Sequence, residues 1–249
     1  MTPQEWLASL EADGALVAAT DPDHLELDVP TTPGWTVRDL IVHLGAVHRW
    51  AATFIAAGPD SRERFAMDAS DVPDGAAVTG WYRARLDELL ATLRAQDPDA
   101  PARGFAGRTT AAFWFRRQAH EAAVHRWDLQ NATPAGAAPV PAALAVDGVE
   151  EWTQVFVPRF LARSAGLPDE VIGRTVHLHG TDVPDAEWLF ELHRDGIAVS
   201  RGHAKGDAAV RGTASDLVLA VWRRVPLAAL AVHGDAEVPE ALIEAIRVT

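Results

Sequence analysis

Two side chains at one spacing give this chain its first chemical lead. Glu121 and His125 stand four residues apart in the stretch Arg116-Arg117-Gln118-Ala119-His120-Glu121-Ala122-Ala123-Val124-His125-Arg126-Trp127-Asp128. That stretch lacks Pro and Gly and is rich in good helix formers, so the pattern predicts a helix. Positions i and i+4 of a helix lie nearly one above the other, close enough for a carboxylate and an imidazole to grip one ion. Those two groups suit a borderline divalent metal. A third ligand has to come from elsewhere, and the best candidate is His43. Three protein ligands would leave one coordination position open. The competing reading is a weak Glu–His pair on an exposed helix face. His120 lies about 140° around the helix from His125, at ~100° per residue, so it reads as a neighbour and not a ligand. Arg117, four before Glu121, is placed to orient that carboxylate. Asp128, one turn past His125, is placed to steady the imidazole or to form a plain helix salt bridge.

Helices must carry these groups. Apolar periodicity and stop signals predict five, over about 3–19, 36–57, 76–96, 109–129 and 142–165. Thr36 and Asp39 have the spacing of a capping box at the start of the second, and Trp35 and Leu40 that of a hydrophobic staple. Leu40, His43, Leu44 and Val47 share one face, so His43 is expected to point into an apolar stripe and His48 out to solvent. A buried, unpaired imidazole costs on the order of 1–3 kcal/mol, so His43 needs a partner: a carbonyl, a water, or a metal held by Glu121 and His125. Residues 60–75 and 101–108 read as loops, the first as a lid, a pocket wall or a plain connection.

Past Gly166 the period changes from helical to alternating. Strands are expected at 175–179, 187–193, 197–200, 207–212 and 229–233, with an Arg194-Asp195-Gly196 hairpin turn. Helices are expected from Thr213 through Arg224 and from Pro239 to Arg247. The fold class is therefore α+β, with a helical bundle followed by a small, mainly antiparallel sheet domain. His177, His179 and His193 are spaced like one face of that sheet, either a metal cluster or solvated strand positions.

Composition narrows the partners. The 249 residues are 48% apolar and 23% charged, enough for one large or two modest domains. A net charge of −13 opposes phosphate backbones, and a single Tyr, Tyr82, is too little for a stacking platform, so nucleic acid is not expected. No run of 18 apolar residues suggests a membrane span, and the start lacks the features of a secretory signal, so a cytoplasmic protein is expected. The absence of cysteine excludes disulfides, thiolate ligands and a Cys nucleophile. Any thiol chemistry needs a thiol brought in as a cosubstrate. Neither a phosphate-cradling glycine loop nor a G-x-S-x-G elbow is present.

Three motifs together resemble the mycothiol-dependent maleylpyruvate isomerase family. They are Gly34-Trp35-Thr36-Val37-Arg38-Asp39-Leu40 leading to His43-Leu44, the Arg117 to Asp128 helix, and Gly212-Thr213-Ala214-Ser215-Asp216-Leu217 leading to Trp222-Arg223-Arg224. The resemblance spans nearly the whole chain. It implies a DinB-like four-helix bundle over 1–166 and a sterol-carrier-like α+β domain over 167–249. It also implies a divalent metal of the zinc type on His43, Glu121 and His125, with mycothiol as thiol cosubstrate. The expected activity is addition of that thiol to a small electrophile, for cis–trans isomerisation or S-transfer. Arg224, and secondarily Arg223, is a candidate to hold a substrate carboxylate, against plain surface solvation. The alternatives are a metal-dependent hydrolase with the same triad and a non-catalytic small-molecule or lipid-binding protein. The chain is expected to act as a monomer or homodimer.

Overall fold

Thr2, Thr36 and Thr213 each start a helix in the same way. The threonine hydroxyl accepts the N–H of the third helical residue, and that residue's carboxylate accepts the threonine N–H. The pairs are Thr2 with Glu5, Thr36 with Asp39, and Thr213 with Asp216. The computed structural model describes residues 1–105, 107–164 and 166–246, and the chain forms two compact units, Met1–Ala138 and Pro139–Thr249.

The first unit is a bundle of α1 (Pro3–Ala18), α2 (Val37–Ala57), α3 (Ala77–Arg94) and α4 (Ala112–Asn131). α1 packs on α4 and α3, while α2 packs on α3 and α4. Leu10, Leu40, Leu44, Leu86, Leu89 and Trp114 are fully buried at its centre. α2 is long and apolar enough to cross a membrane by length and composition, but most of it is buried inside the bundle, as a core helix would be. The 101–108 segment is not the expected loop. It folds as a hairpin of β1 (Pro101–Gly104) and β2 (Gly107–Thr110), which moves the start of α4 to Ala112.

The second unit opens with α5 (Ala142–Glu151), a π-helical turn over Trp152–Phe156, and α6 (Val157–Leu161). The single helix expected over 142–165 ran through Pro158. Pro158 has no N–H for the carbonyl four residues back, and the ladder loosens just before it. Next come β3 (Thr175–Gly180), β4 (Glu187–His193), β5 (Gly196–Arg201), β6 (Ala208–Gly212), α7 (Ala214–Val221), β7 (Ala231–Gly234) and α8 (Glu237–Ala245). The sheet order is β5-β4-β3-β6-β7, with β3 and β6 parallel and every other pair antiparallel. Val176, Leu178, Trp188, Phe190 and Val210 form its buried face. The chain is α+β as expected, but α5 and α6 belong with the sheet, so the compact units part near 138 and not at 166. α7 ends at Val221, short of the expected Arg224, because Arg223 turns left-handed at φ 62°. The expected helix ends at Ala165 and Arg247 lie outside the described residues.

Candidate metal centre

His43 stands on α2 two turns after the Thr36–Asp39 cap, and Glu121 and His125 stand one turn apart on α4. Packing of α2 on α4 brings the three together. His43 Nε2 lies 3.5 Å from Glu121 Oε1, and His125 Nε2 lies 3.4 Å from the same oxygen. The two imidazole rings are 5.2 Å apart and nearly perpendicular. One donor atom from each residue falls within 4.8 Å of the other two. A tetrahedral ion with bonds of about 2.0–2.2 Å has ligand–ligand edges of roughly 3.3–3.5 Å. Both edges to Glu121 Oε1 match those of a zinc-sized site.

Each donor is aimed by a neighbour. His125 Nδ1 is 2.9 Å from Asp128 Oδ2, and a carboxylate can only accept, so Nδ1 carries a proton and Nε2, which faces Glu121, is the nitrogen that a cation would take in place of a proton. Asp128 is completely buried, and its Oδ1 accepts the Thr31 hydroxyl at 2.6 Å. Arg117 Nη2 donates to Glu121 Oε2 at 3.0 Å, which leaves Oε1 for the ion. Trp35 lies against the His43 ring, with centroids 5.0 Å apart. Burial pushes the Glu121 carboxyl up, but hydrogen bonds from His125 and His43 and the charges of His125 and Arg117 outweigh it and hold the group well below the usual carboxylate range. Burial lowers His125, and its bonds to Asp128 and Glu121 more than compensate and raise it.

His43 also borders a groove of about 480 Å³ along the start of α2, lined by Trp35, Asp39, Val42, Met67 and Ala69. His43 itself is 26% exposed to it, so it flanks the apolar stripe and does not point into it. Met67 and Ala69 come from the long 58–76 segment, which serves as a pocket wall. Arg38 donates to Pro73 O, and Trp50 Nε1 donates to Phe65 O, so both halves of that segment are tied to α2.

A profile of the mycothiol maleylpyruvate isomerase N-terminal domain matches residues 6–130, and one of the corresponding C-terminal domain matches residues 143–241. The chain belongs to the mycothiol maleylpyruvate isomerase family. Two solved structures share the fold. A mycothiol-dependent maleylpyruvate isomerase carrying a histidine-to-alanine substitution is 14% identical, with a TM-score of 0.65 over 95% of both chains. The unsubstituted enzyme is 15% identical, with a TM-score of 0.59 over 90% of both chains. Comparison with curated proteins gave no match.

His43, Glu121 and His125 meet, and Arg117 and Asp128 occupy the supporting places expected of them. Arg224 lies in the second unit, where its guanidinium donates to Trp222 O at 2.8 Å, and Arg223 pairs with Glu244 at 3.1 Å. His48 is the clear correction. It is fully buried, not solvated, with Nδ1 2.9 Å from Gln118 Oε1 and Nε2 3.3 Å from the Tyr82 hydroxyl. Burial lowers its pKa to about 4. α2 packs on both α3 and α4, and His48 sits between them, facing Tyr82 on the one and Gln118 on the other. Thr31 was missed altogether, since nothing local links it to Asp128 ninety-seven residues away. His193 is exposed and does not join His177 and His179.

Proposed function

We propose that this chain is a metal-dependent isomerase that uses mycothiol, acting on maleylpyruvate or a similarly small unsaturated acid. The observation that carries the reading is the convergence of His43 Nε2 and His125 Nε2 on Glu121 Oε1, at 3.5 and 3.4 Å, beside an open groove. Family membership supplies the reaction class, and the lack of any cysteine is consistent with a thiol that arrives from outside. His43, Glu121 and His125 would hold a divalent cation of the zinc type, and three protein ligands would leave one coordination place for a thiol or water. When bound there, the cation would supply Lewis acidity that keeps a thiol deprotonated near neutral pH.

The remaining work falls to the chain. Asp128 fixes the His125 tautomer, and Thr31 fixes Asp128. Arg117 occupies one oxygen of Glu121 and keeps the other turned to the cation. Trp35 and Met67 give the groove beside His43 an apolar lining. Arg224 is proposed as the group that takes the substrate carboxylate, a role its planar guanidinium suits.

The test is turnover of maleylpyruvate by the purified protein, with and without mycothiol, before and after chelation. Turnover that needs both thiol and metal, and is lost in His43→Ala, is the expected result. Metal-dependent turnover of ester or amide substrates without thiol would replace isomerisation with hydrolysis. Full activity after chelation would remove the metal from the reading. An Arg224→Lys variant should raise KM for the acid more than it lowers kcat.

A further inference from the structure

The open face of the sheet carries a second convergence of ligand-type side chains, unrelated to the centre on α2 and α4. His177 and His179 are two apart on β3 and so face the same side. Glu187 on β4 is the cross-strand partner of His179. His203 comes from the 202–207 connection between β5 and β6. His177 Nε2, His179 Nδ1 and His203 Nδ1 lie 2.9, 3.2 and 2.8 Å from one and the same atom, Glu187 Oε2. The three rings stand mutually near-perpendicular, at 81–88°, with centroids 5.6–6.1 Å apart. They surround a point and do not stack.

Hydrogen bonding alone does not account for this. A carboxylate oxygen offers about two lone pairs, and three nitrogens crowd it. The His177 Nε2 contact, though short, lies off the line a hydrogen bond requires. Three imidazoles and one carboxylate are a complete ligand set for a tetrahedral ion. The three nitrogens stand 2.8–3.2 Å from the carboxylate oxygen, a little inside the roughly 3.3 Å edge of such a site, and all four donor atoms fall within 4.8 Å of one another.

The connection that brings His203 is also built for the place. It must carry the chain from β5 past β4 and β3 to β6, three strand spacings or about 14 Å, in six residues. It is tied at both ends to residues of the cluster's own strands. Gly202 N donates to Glu187 O, and Asp207 accepts from both Thr175 N and the Thr175 hydroxyl at 2.8 Å. At Gly206 the connection presses on β3, where a Cβ would stand 3.1 Å from His177 N and 2.7 Å from Ala208 O. Only glycine lets it lie that close, and the closeness seats His203 over Glu187.

We infer that His177, His179, Glu187 and His203 form a second binding site for a divalent transition-metal ion of the zinc class, on the sheet of the second unit. Four protein ligands make it a closed, structural type of site that clips the 202–207 connection to β3 and β4. The inference does not depend on the centre formed by His43, Glu121 and His125.

The test counts ions. Metal-stripped full-length protein is loaded with Zn²⁺ alone, desalted, and its bound zinc measured per chain. This is done for wild type, for His179→Ala/His203→Ala, for His43→Ala/His125→Ala, and for all four substitutions together. His203 is 80% exposed and His179 22%, so the first pair can be replaced without opening the core, and circular dichroism checks that. The expected result is one equivalent fewer in His179→Ala/His203→Ala than in wild type. The expected result for His43→Ala/His125→Ala is one equivalent retained, and lost when the pairs are combined. If wild type holds a single ion that disappears with His179 and His203 only, the inference stands and the α2–α4 centre falls. Equal zinc in wild type and His179→Ala/His203→Ala overturns the inference.

Discussion

Asp128 decides which nitrogen of His125 is available to a cation, and it does so from complete burial. Replacing it by Asn keeps the shape but allows an amide N–H to face Nδ1, which favours the wrong tautomer. Losing such a supporting carboxylate typically weakens metal binding 10- to 100-fold. Asp128→Asn should therefore weaken zinc binding by about that factor in a chelator competition, with an unchanged far-UV spectrum. Undiminished affinity would mean that the carboxylate does not set the tautomer. His48 gives a second prediction. Its pKa is lowered from 6.5 to about 4 by burial, so between those pH values the unfolded chain takes up a proton that the folded chain refuses. Stability is complete above pH 6.5 and falls as pH drops toward 4. Between pH 7 and pH 5 the loss from this group is roughly 2 kcal/mol. His48→Gln should flatten that part of the urea-midpoint profile, and an unaltered slope would refute the assignment. At this scale the sequence was informative for residues one helical turn apart: Glu121 with His125, Arg117 with Glu121, Asp128 with His125. It was mute for partners that only tertiary packing joins, such as Thr31 with Asp128 or His203 with Glu187.

Helix starts were legible because their chemistry is local: Thr36 and Asp39 satisfy each other's orphan groups three residues apart, whatever lies elsewhere. The β1–β2 hairpin was not, since Pro101–Gly104 and Gly107–Thr110 carry almost no apolar alternation. Trp114 buries itself behind the hairpin and donates its indole N–H to Arg103 O at 2.9 Å, a contact no local pattern announces. The parallel pairing of β3 with β6 was equally silent, because register across a crossover is set by what covers the sheet. Gly45 shows a helix residue chosen for its neighbour. In mid-helix a glycine costs up to about 1 kcal/mol relative to alanine. Here a Cβ would stand 2.7 Å from Trp81 Cη2 and closer still to Cζ3. The indole is buried and its N–H is fixed on Asp71 at 3.1 Å, so it has little room to yield. Gly45→Ala should therefore destabilise the bundle by about 1–3 kcal/mol, against the propensity gain. A lower urea midpoint at unchanged slope is the expected reading, and a stabilised variant would show that α2 and α3 are not this close.

For the whole molecule, the question is which residues must be present for the sheet unit to fold. The change in hydrophobic period near Gly166 suggests a boundary there, because sequence marks where strands begin. Packing places the boundary earlier. α5 lies along α7, and Val140 N donates to the Ser215 hydroxyl at 2.9 Å. The Trp152 ring meets Phe190 at 6.0 Å, and Phe156 meets Trp222 at 4.7 Å. Leu144, Val149 and Trp152 are buried at 1% exposure or less. Each large apolar side chain returned to water costs about 1.5–3 kcal/mol, and at least three are involved besides the faces they cover. A domain of ordinary stability has about 5–15 kcal/mol in hand. A fragment of residues 139–249 should accordingly unfold in one cooperative urea transition and keep a near-UV signal from its tryptophans. A fragment of residues 167–249 should show neither, because its sheet and α7 would face solvent where α5 and the π-turn belong. Cooperative folding of the shorter fragment would mean that the first twenty-eight residues of the longer one only decorate the sheet, and that the division near 138 does not mark a folding unit.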